Sequence, residues 1–253
     1  MYNGYLIDLD GIAYLGENVI PSCRDFINRC VEEKIKFCFV TNNSTRTTKE
    51  VYEHLKRIGY KVNQENIITS SEVTAKYIKK ENPLANVYLI GMNGIKTEFE
   101  KNKISMVSKN ADYVVVGLDF NINYEKVSIA CEEVFNGAKF ISTNSDLRLS
   151  RTNGITPGNG SLTKVIELVT NVEPIYMGKP QIEMLEYGLE KLNLPKEEVA
   201  MIGDNYFTDI MGAHNFGMDS IFVETGVMKI QDLEAFTKQP TIIVRDLSQL
   251  KIK

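Results

Sequence analysis

Long apolar runs are missing from this sequence, and so is any excess of basic charge. The 253 residues carry a formal net charge of −4, so no phosphate-tracking surface of the kind that binds nucleic acid is expected. No apolar stretch approaches the length that spans a bilayer. The opening residues pass straight into a strand-like stretch rather than through a basic region, an apolar segment and a cleavage site. The expectation is a soluble cytoplasmic protein with neither a membrane nor a nucleic-acid partner. Imidazole is scarce, with only His54 and His214, and the four cysteines Cys23, Cys30, Cys38 and Cys131 show no C-x-x-C spacing. Together these argue against a zinc cluster and predict buried free thiols. Neither histidine has a Ser or Cys partner in a nucleophile motif.

What is present suffices for a globular core: 43% hydrophobic, 9% aromatic and 25% charged residues, in a length that admits one large domain or two modest ones. The stretch Tyr5-Leu6-Ile7-Asp8-Leu9-Asp10-Gly11 leads apolar residues into two aspartates one residue apart. On a straight strand Asp8 and Asp10 would share a face, and like charges that close raise each other's pKa unless a cation sits between them. A sparse carboxylate site of this kind suits Mg²⁺, which keeps several waters and shares its shell with phosphate. A solvated turn after a strand accounts for the same residues equally well.

Helical spacing from Pro21 to Lys34, with proline at the first position, is followed by a strand-like run Ile35 to Val40 that ends in Thr41-Asn42-Asn43-Ser44. Strand, helix, strand opens a parallel sheet, whose sites lie beyond the carboxyl ends of the strands, so Thr41 is placed beside Asp8. The polar cluster reads either as the cap of a helix from Arg46 to Gly59 or as a phosphoryl-binding turn.

From about Ser70 a second α/β pattern begins, with helices expected at 71–80, 94–102 and 124–135 and strands at 86–91, 113–117 and 139–143. No long linker separates it from the first, so it reads as an insertion. Asn144, Asp146 and the turn Pro157 to Ser161 are polar segments within it, the latter readable as a helix cap or an anion-holding loop. The last third supplies Gly178-Lys179-Pro180 before a helix from Gln181 to Leu192. Next come a strand delivering Asp204-Asn205, then Thr208-Asp209-Ile210 in a helical turn, and strands at 219–226 and 241–244. A lysine between Gly and Pro is, by itself, most often a surface charge.

In this order, Asp8-x-Asp10-Gly11, Thr41-Asn42-Asn43, Gly178-Lys179-Pro180 and Gly203-Asp204-Asn205 with Asp209 resemble the haloacid dehalogenase-like superfamily, and within it the NagD-like, p-nitrophenylphosphatase-like branch. The resemblance spans nearly the whole chain. It implies an α/β fold: a Rossmann-like parallel-sheet core domain, residues 1–70 and 176–253, with an inserted α/β cap domain, residues 71–175. It also implies a phosphatase in which Asp8 attacks phosphorus, Asp10 is the acid and base, Thr41 binds the phosphoryl group and Lys179 neutralises charge. Mg²⁺ would rest on Asp8, the Asp10 carbonyl and Asp204, with Asn205 and Asp209 around it. Asp10 favours phosphoester over haloacid chemistry, because a halide leaves without a proton. Asn42, Asn43, Asn144 and Asp146 are the expected substrate contacts. The expected partner is a small phosphorylated metabolite (nucleotide, sugar or aryl phosphate), and a homo-oligomer is left open. Phosphotransfer to another acceptor, as in a phosphomutase, uses the same motifs; a phosphoacceptor signalling domain and an inactive binding module are remoter readings.

Overall fold

The computed structural model describes residues 2–151 and 154–252. The first strand, β1 (Gly4–Ile7), is buried throughout and stops before the aspartates. The Leu9 carbonyl accepts from the N–H of Ala13 at 2.8 Å, and Gly11 takes φ +90°, so the chain folds back on itself. The straight strand through Asp8 and Asp10 expected from the sequence is therefore replaced by a turn. A short hairpin follows, β2 (Tyr14–Leu15) and β3 (Asn18–Val19), which the sequence did not signal. Helix α1 (Pro21–Glu32) has proline at its start and buries Cys23, Phe26, Ile27 and Cys30. Then come β4 (Lys36–Thr41), α2 (Thr48–Arg57) and the three-residue β5 (Ile67–Thr69).

Next in the chain are α3 (Ser70–Glu81), β6 (Asn86–Ile90), α4 (Asn93–Lys101), β7 (Ser105–Met106), β8 (Tyr113–Val116), α5 (Tyr124–Phe135) and β9 (Lys139–Ser142). The antiparallel pair β10 (Arg148–Arg151) and β11 (Gly154–Pro157) follows, then α6 (Asn159–Thr170) and β12 (Ile175–Tyr176). The chain ends with α7 (Glu183–Leu192), β13 (Val199–Gly203), a π-helical turn Tyr206–Ile210, α8 (Met211–Phe216), β14 (Asp219–Val223) and β15 (Ile242–Val244).

These elements form two compact units, Met1–Thr41 with Thr48–Ile68 and Lys179–Lys253, and Asn42–Thr47 with Thr69–Gly178. The first is a Rossmann-like α/β unit whose sheet runs β15-β14-β13-β1-β4-β5. Its central strand β1 pairs in parallel with both β4 (Gly4↔Lys36) and β13 (Gly4↔Val199). Both sheet faces are covered, so the strands read as unbroken apolar runs. Tyr5, Ile7, Phe37, Phe39, Ala200 and Ile202 pack with Phe26 and Ile27 of α1 and Val51 and Leu55 of α2. The second unit has a five-stranded sheet, β12-β9-β8-β6-β7, all parallel. Ile90, Val114, Val116 and Phe140 form its core with Ala130 and Val134 of α5.

All four cysteines are buried free thiols, as expected. His54 is buried edge-on to the Tyr14 ring, with centroids 4.7 Å apart. Among the described residues no helix is long and apolar enough to cross a membrane.

Candidate active site

Neighbouring strands in a parallel sheet end together, and that register assembles the site. Strand β1 releases Asp8, β13 releases Asp204 and β4 ends in Thr41, which is 2% exposed. The Asp8 N–H donates to the Ile202 carbonyl at 2.9 Å, which extends the β1–β13 ladder to the aspartate itself. The Lys179 ammonium, 2% exposed, donates to Asp8 Oδ1 at 2.6 Å, Asp209 Oδ1 at 2.7 Å and the Val40 carbonyl at 3.2 Å. The lysine that local sequence reads as a surface charge is therefore a buried hub.

Asp209 comes from the π-helical turn after β13. Its Oδ2 accepts from the Asn205 N–H at 3.2 Å, and Asn205 Oδ1 accepts from the Phe207 N–H at 3.0 Å. Asn205 thus shapes the turn that aims Asp209 at Lys179. Asp10 lies in the turn after β1, is exposed, and bridges to Tyr14.

Carboxylate oxygens of Asp8, Asp204 and Asp209 all lie within 4.8 Å of one another. Burial pushes the Asp8 carboxyl well above the usual range; Lys179 opposes this, while Asp209 and Asp204 add to it. Burial, then Asp209, pushes Asp204 up to about 7. Burial works against the Lys179 ammonium, but Asp209 and Asp8 outweigh it and hold Lys179 above the usual lysine range. Three carboxylates against one ammonium leave an excess of negative charge that a divalent cation would balance, and all-oxygen donors suit a hard cation such as Mg²⁺. The donor set thus fits the metal implied by the sequence. Asp209, expected around the metal rather than within its carboxylates, has its side chain inside the cluster. The Asp10 side chain lies outside it.

The other expected residues lie in the second unit and are knit together there. Asn42 Nδ2 donates to Asp146 Oδ1 and Oδ2 at 3.3 and 3.2 Å. Asn144 Nδ2 donates to the Asn42 carbonyl at 2.8 Å, and Asn144 Oδ1 accepts from the Asp146 N–H at 3.1 Å. Gly178 packs against the same cluster: a Cβ there would lie 2.6 Å from Asn42 Oδ1 and 2.7 Å from the Thr143 carbonyl.

Asn43 Oδ1 accepts from the N–H of Thr45 and Arg46 and from Thr45 Oγ1. It closes a local turn ahead of α2, which begins only at Thr48 and not at Arg46 as expected. The N-cap expected within Gly158 to Ser161 is found at Gly158. This glycine has no side chain to offer, and Ser161 Oγ donates to the Leu147 carbonyl at 2.7 Å.

A family model described as haloacid dehalogenase-like hydrolase matches residues 5–105, and a second, HAD-hydrolase-like, matches residues 176–250. The chain belongs to the haloacid dehalogenase-like hydrolases. Curated relatives include the 5'-nucleotidase YutF of Bacillus subtilis (strain 168), 40% identical across 98% of this chain and 97% of the relative. Another is an acid sugar phosphatase of Staphylococcus haemolyticus, 42% identical across 98% and 94%. Among solved structures, a single-mutant thermostable NPPase from Geobacillus stearothermophilus superimposes with TM-score 0.94 at 40% identity, covering 99% of this chain and 98% of that one. These relatives support the NagD-like branch of the haloacid dehalogenase-like hydrolases.

In this haloacid dehalogenase-like chain, the grip on Asp204 is a feature the motifs do not announce. The Val227 N–H donates to Asp204 Oδ2 at 2.5 Å, from the loop that follows β14. The sequence expects a strand over 219–226, but β14 ends at Val223, so Glu224 to Gly226 belong to this loop and not to the strand.

Proposed function

We propose that this hydrolase cleaves small phosphate monoesters through an aspartyl-phosphate formed on Asp8, with Mg²⁺ as cofactor. The observation that carries the reading is the Lys179 ammonium bound at once to Asp8 and Asp209 at the strand ends, beside Asp204. The relatives, a 5'-nucleotidase, an acid sugar phosphatase and an NPPase, support the substrate class.

In the first step an Asp8 carboxylate oxygen attacks phosphorus, the P–O bond to the leaving group breaks, and Asp10 gives its proton to the departing ester oxygen. In the second, Asp10 takes a proton from water as that water attacks phosphorus. The P–O bond to Asp8 breaks, releasing inorganic phosphate and restoring the carboxylate. Lys179 counters charge on the attacked phosphoryl oxygens and on Asp8, and the Thr41 hydroxyl donates to a phosphoryl oxygen. Mg²⁺, when bound by Asp8, Asp204 and the Asp10 carbonyl, supplies charge neutralisation and in-line orientation of the phosphoryl group.

Phosphate release from p-nitrophenyl phosphate, a sugar phosphate and a nucleoside monophosphate, with Mg²⁺ and then with EDTA, tests the reading. Metal-dependent release is expected; no release from any of the three would overturn it. Asp10→Asn is expected to lose about 10²–10⁴-fold in kcat/KM, which reports the first step alone, on an alkyl phosphate and much less on p-nitrophenyl phosphate, whose leaving group needs no proton. Equal losses on the two esters would remove Asp10 from the acid role.

Metal binding is measurable apart from turnover. A cation at 100 times its Kd adds about 2.7 kcal/mol to the folded state, which for a chain of this size raises Tm by about 5–10 °C. Asp204→Asn should abolish most of that rise. A full rise in Asp204→Asn would place the cation elsewhere.

A further inference from the structure

The loop after β14 touches more than Asp204. The Thr225 Oγ1 hydroxyl donates to the Gly11 carbonyl at 2.6 Å, joining positions 214 residues apart in the chain. Gly11 directly follows Asp10, and its N–H donates to the Tyr14 carbonyl at 2.9 Å. The turn carrying Asp10 is thus tied on one side to the β2–β3 hairpin and on the other to Thr225.

Between the two lies a close approach of backbones. A Cβ on Gly226 would sit 1.9 Å from Asp204 Oδ2 and 2.8 Å from the Gly11 Cα; one on Gly11 would sit 2.6 Å from the same carboxylate oxygen. Both positions therefore need glycine. The loop itself is anchored: the Glu224 N–H donates to the Val244 carbonyl at 3.2 Å, Glu224 Oε1 accepts from the Ile230 N–H at 3.0 Å, and Met228 Sδ accepts from the Tyr206 N–H at 3.2 Å. Three consecutive residues thus act on the site in turn. Thr225 holds the Asp10 turn, Gly226 gives the clearance, and Val227 holds Asp204.

We propose that Thr225 is a positioning residue for the reaction, fixing through the Gly11 carbonyl where Asp10 delivers and takes its proton. This rests on the reading of Asp10 as the acid and base. Asp10 is exposed, so burial alone does not set its place, and the tether on the next residue fixes the turn that carries it. Proton transfer needs hydrogen-bond reach to the leaving oxygen, and a displacement of about 1 Å at a reacting group can cost about 10²-fold.

The test compares Thr225→Val, which removes the hydroxyl and keeps the shape, with Thr225→Ser, which keeps the hydroxyl, and with Asp10→Asn. Each is assayed on p-nitrophenyl phosphate and on glycerol 2-phosphate with saturating Mg²⁺. Thr225→Val is expected to lower kcat/KM for glycerol 2-phosphate by about tenfold to a hundredfold and for p-nitrophenyl phosphate by less than about threefold, with Thr225→Ser near the parent on both. A loss of fold would touch both esters alike, so leaving-group selectivity and rescue by serine mark positioning. Equal losses on both esters, no loss, or a serine variant as poor as the valine one would overturn the inference. If circular dichroism shows Thr225→Val unfolded, Thr225→Ala takes its place in the same comparison. Selective loss in Asp10→Asn without it in Thr225→Val would sink the Thr225 role alone; unselective loss in Asp10→Asn would sink the acid reading and this inference with it.

Discussion

Asp8→Asn is expected to fold and to release no phosphate, with turnover lower by about 10⁴-fold or more, the scale seen when a covalent nucleophile is removed. The amide lacks the negative charge and nucleophilicity needed at phosphorus, yet its oxygen can still accept from Lys179. Because burial pushes the Asp8 carboxyl up, the native aspartate costs the folded state something that a neutral side chain does not. The variant should melt at the parent's temperature or above it, as active-site substitutions often do. Phosphate release and a thermal melt on the same preparation check both halves. Turnover near the parent rate would rule out Asp8 as the nucleophile.

Lys179→Met is the opposite case, because stability and activity should fall together. The ammonium is the shared partner of Asp8 and Asp209, and removing one member of a buried ionic cluster costs about 3–5 kcal/mol by stranding the charges left behind. For a chain of this size that corresponds to a Tm lower by roughly 10 °C. The rate should drop by about 10²–10³-fold, the loss typical of one preorganised electrostatic donor. Mg²⁺ should restore part of the lost Tm, since it balances the same carboxylates, and none of the lost rate. A melt of Lys179→Met matching the parent without metal would show that the lysine is not the hub of the cluster.

The sequence made the framework legible wherever a buried parallel strand runs apolar and stops at a polar residue. Ile7 before Asp8, Val40 before Thr41 and Gly203 before Asp204 mark the ends of adjacent strands in one register. Lys179 was not legible from its neighbours. Its burial is imposed by acids 171 and 30 residues away, a property of tertiary structure that a Gly-Lys-Pro turn does not encode. Strand β5 was missed because Ile67, Ile68 and Thr69 run into Ser70 with no turn between strand and helix. The β2–β3 and β10–β11 hairpins were missed because two-residue and four-residue strands are too short to show alternation. Asn43 carried the signal of a helix cap, but that chemistry serves any turn with free N–H groups. Thr225 and Gly226 were read as the end of a strand over 219–226, which stops at Val223, and they gave no sign of their partners, because a hydroxyl meeting a distant carbonyl leaves no pattern in one dimension.

The central place of β1 in its sheet also governs how the molecule is made. Its two neighbours are β4, which begins 32 positions after Gly4, and β13, which begins 195 positions after it. On the ribosome, at about 5–20 residues per second, β1 and β4 emerge early and then wait about 8–33 s for β13. Through that interval one edge of a fully buried strand stands unpaired, a template for another nascent chain. The second unit, whose sheet strands all lie between Asn86 and Tyr176, is complete before that edge closes. The order of synthesis therefore makes the unit that holds Asp8, Lys179 and Asp204 the last to be finished and the first place where crowding during expression would divert chains into aggregates.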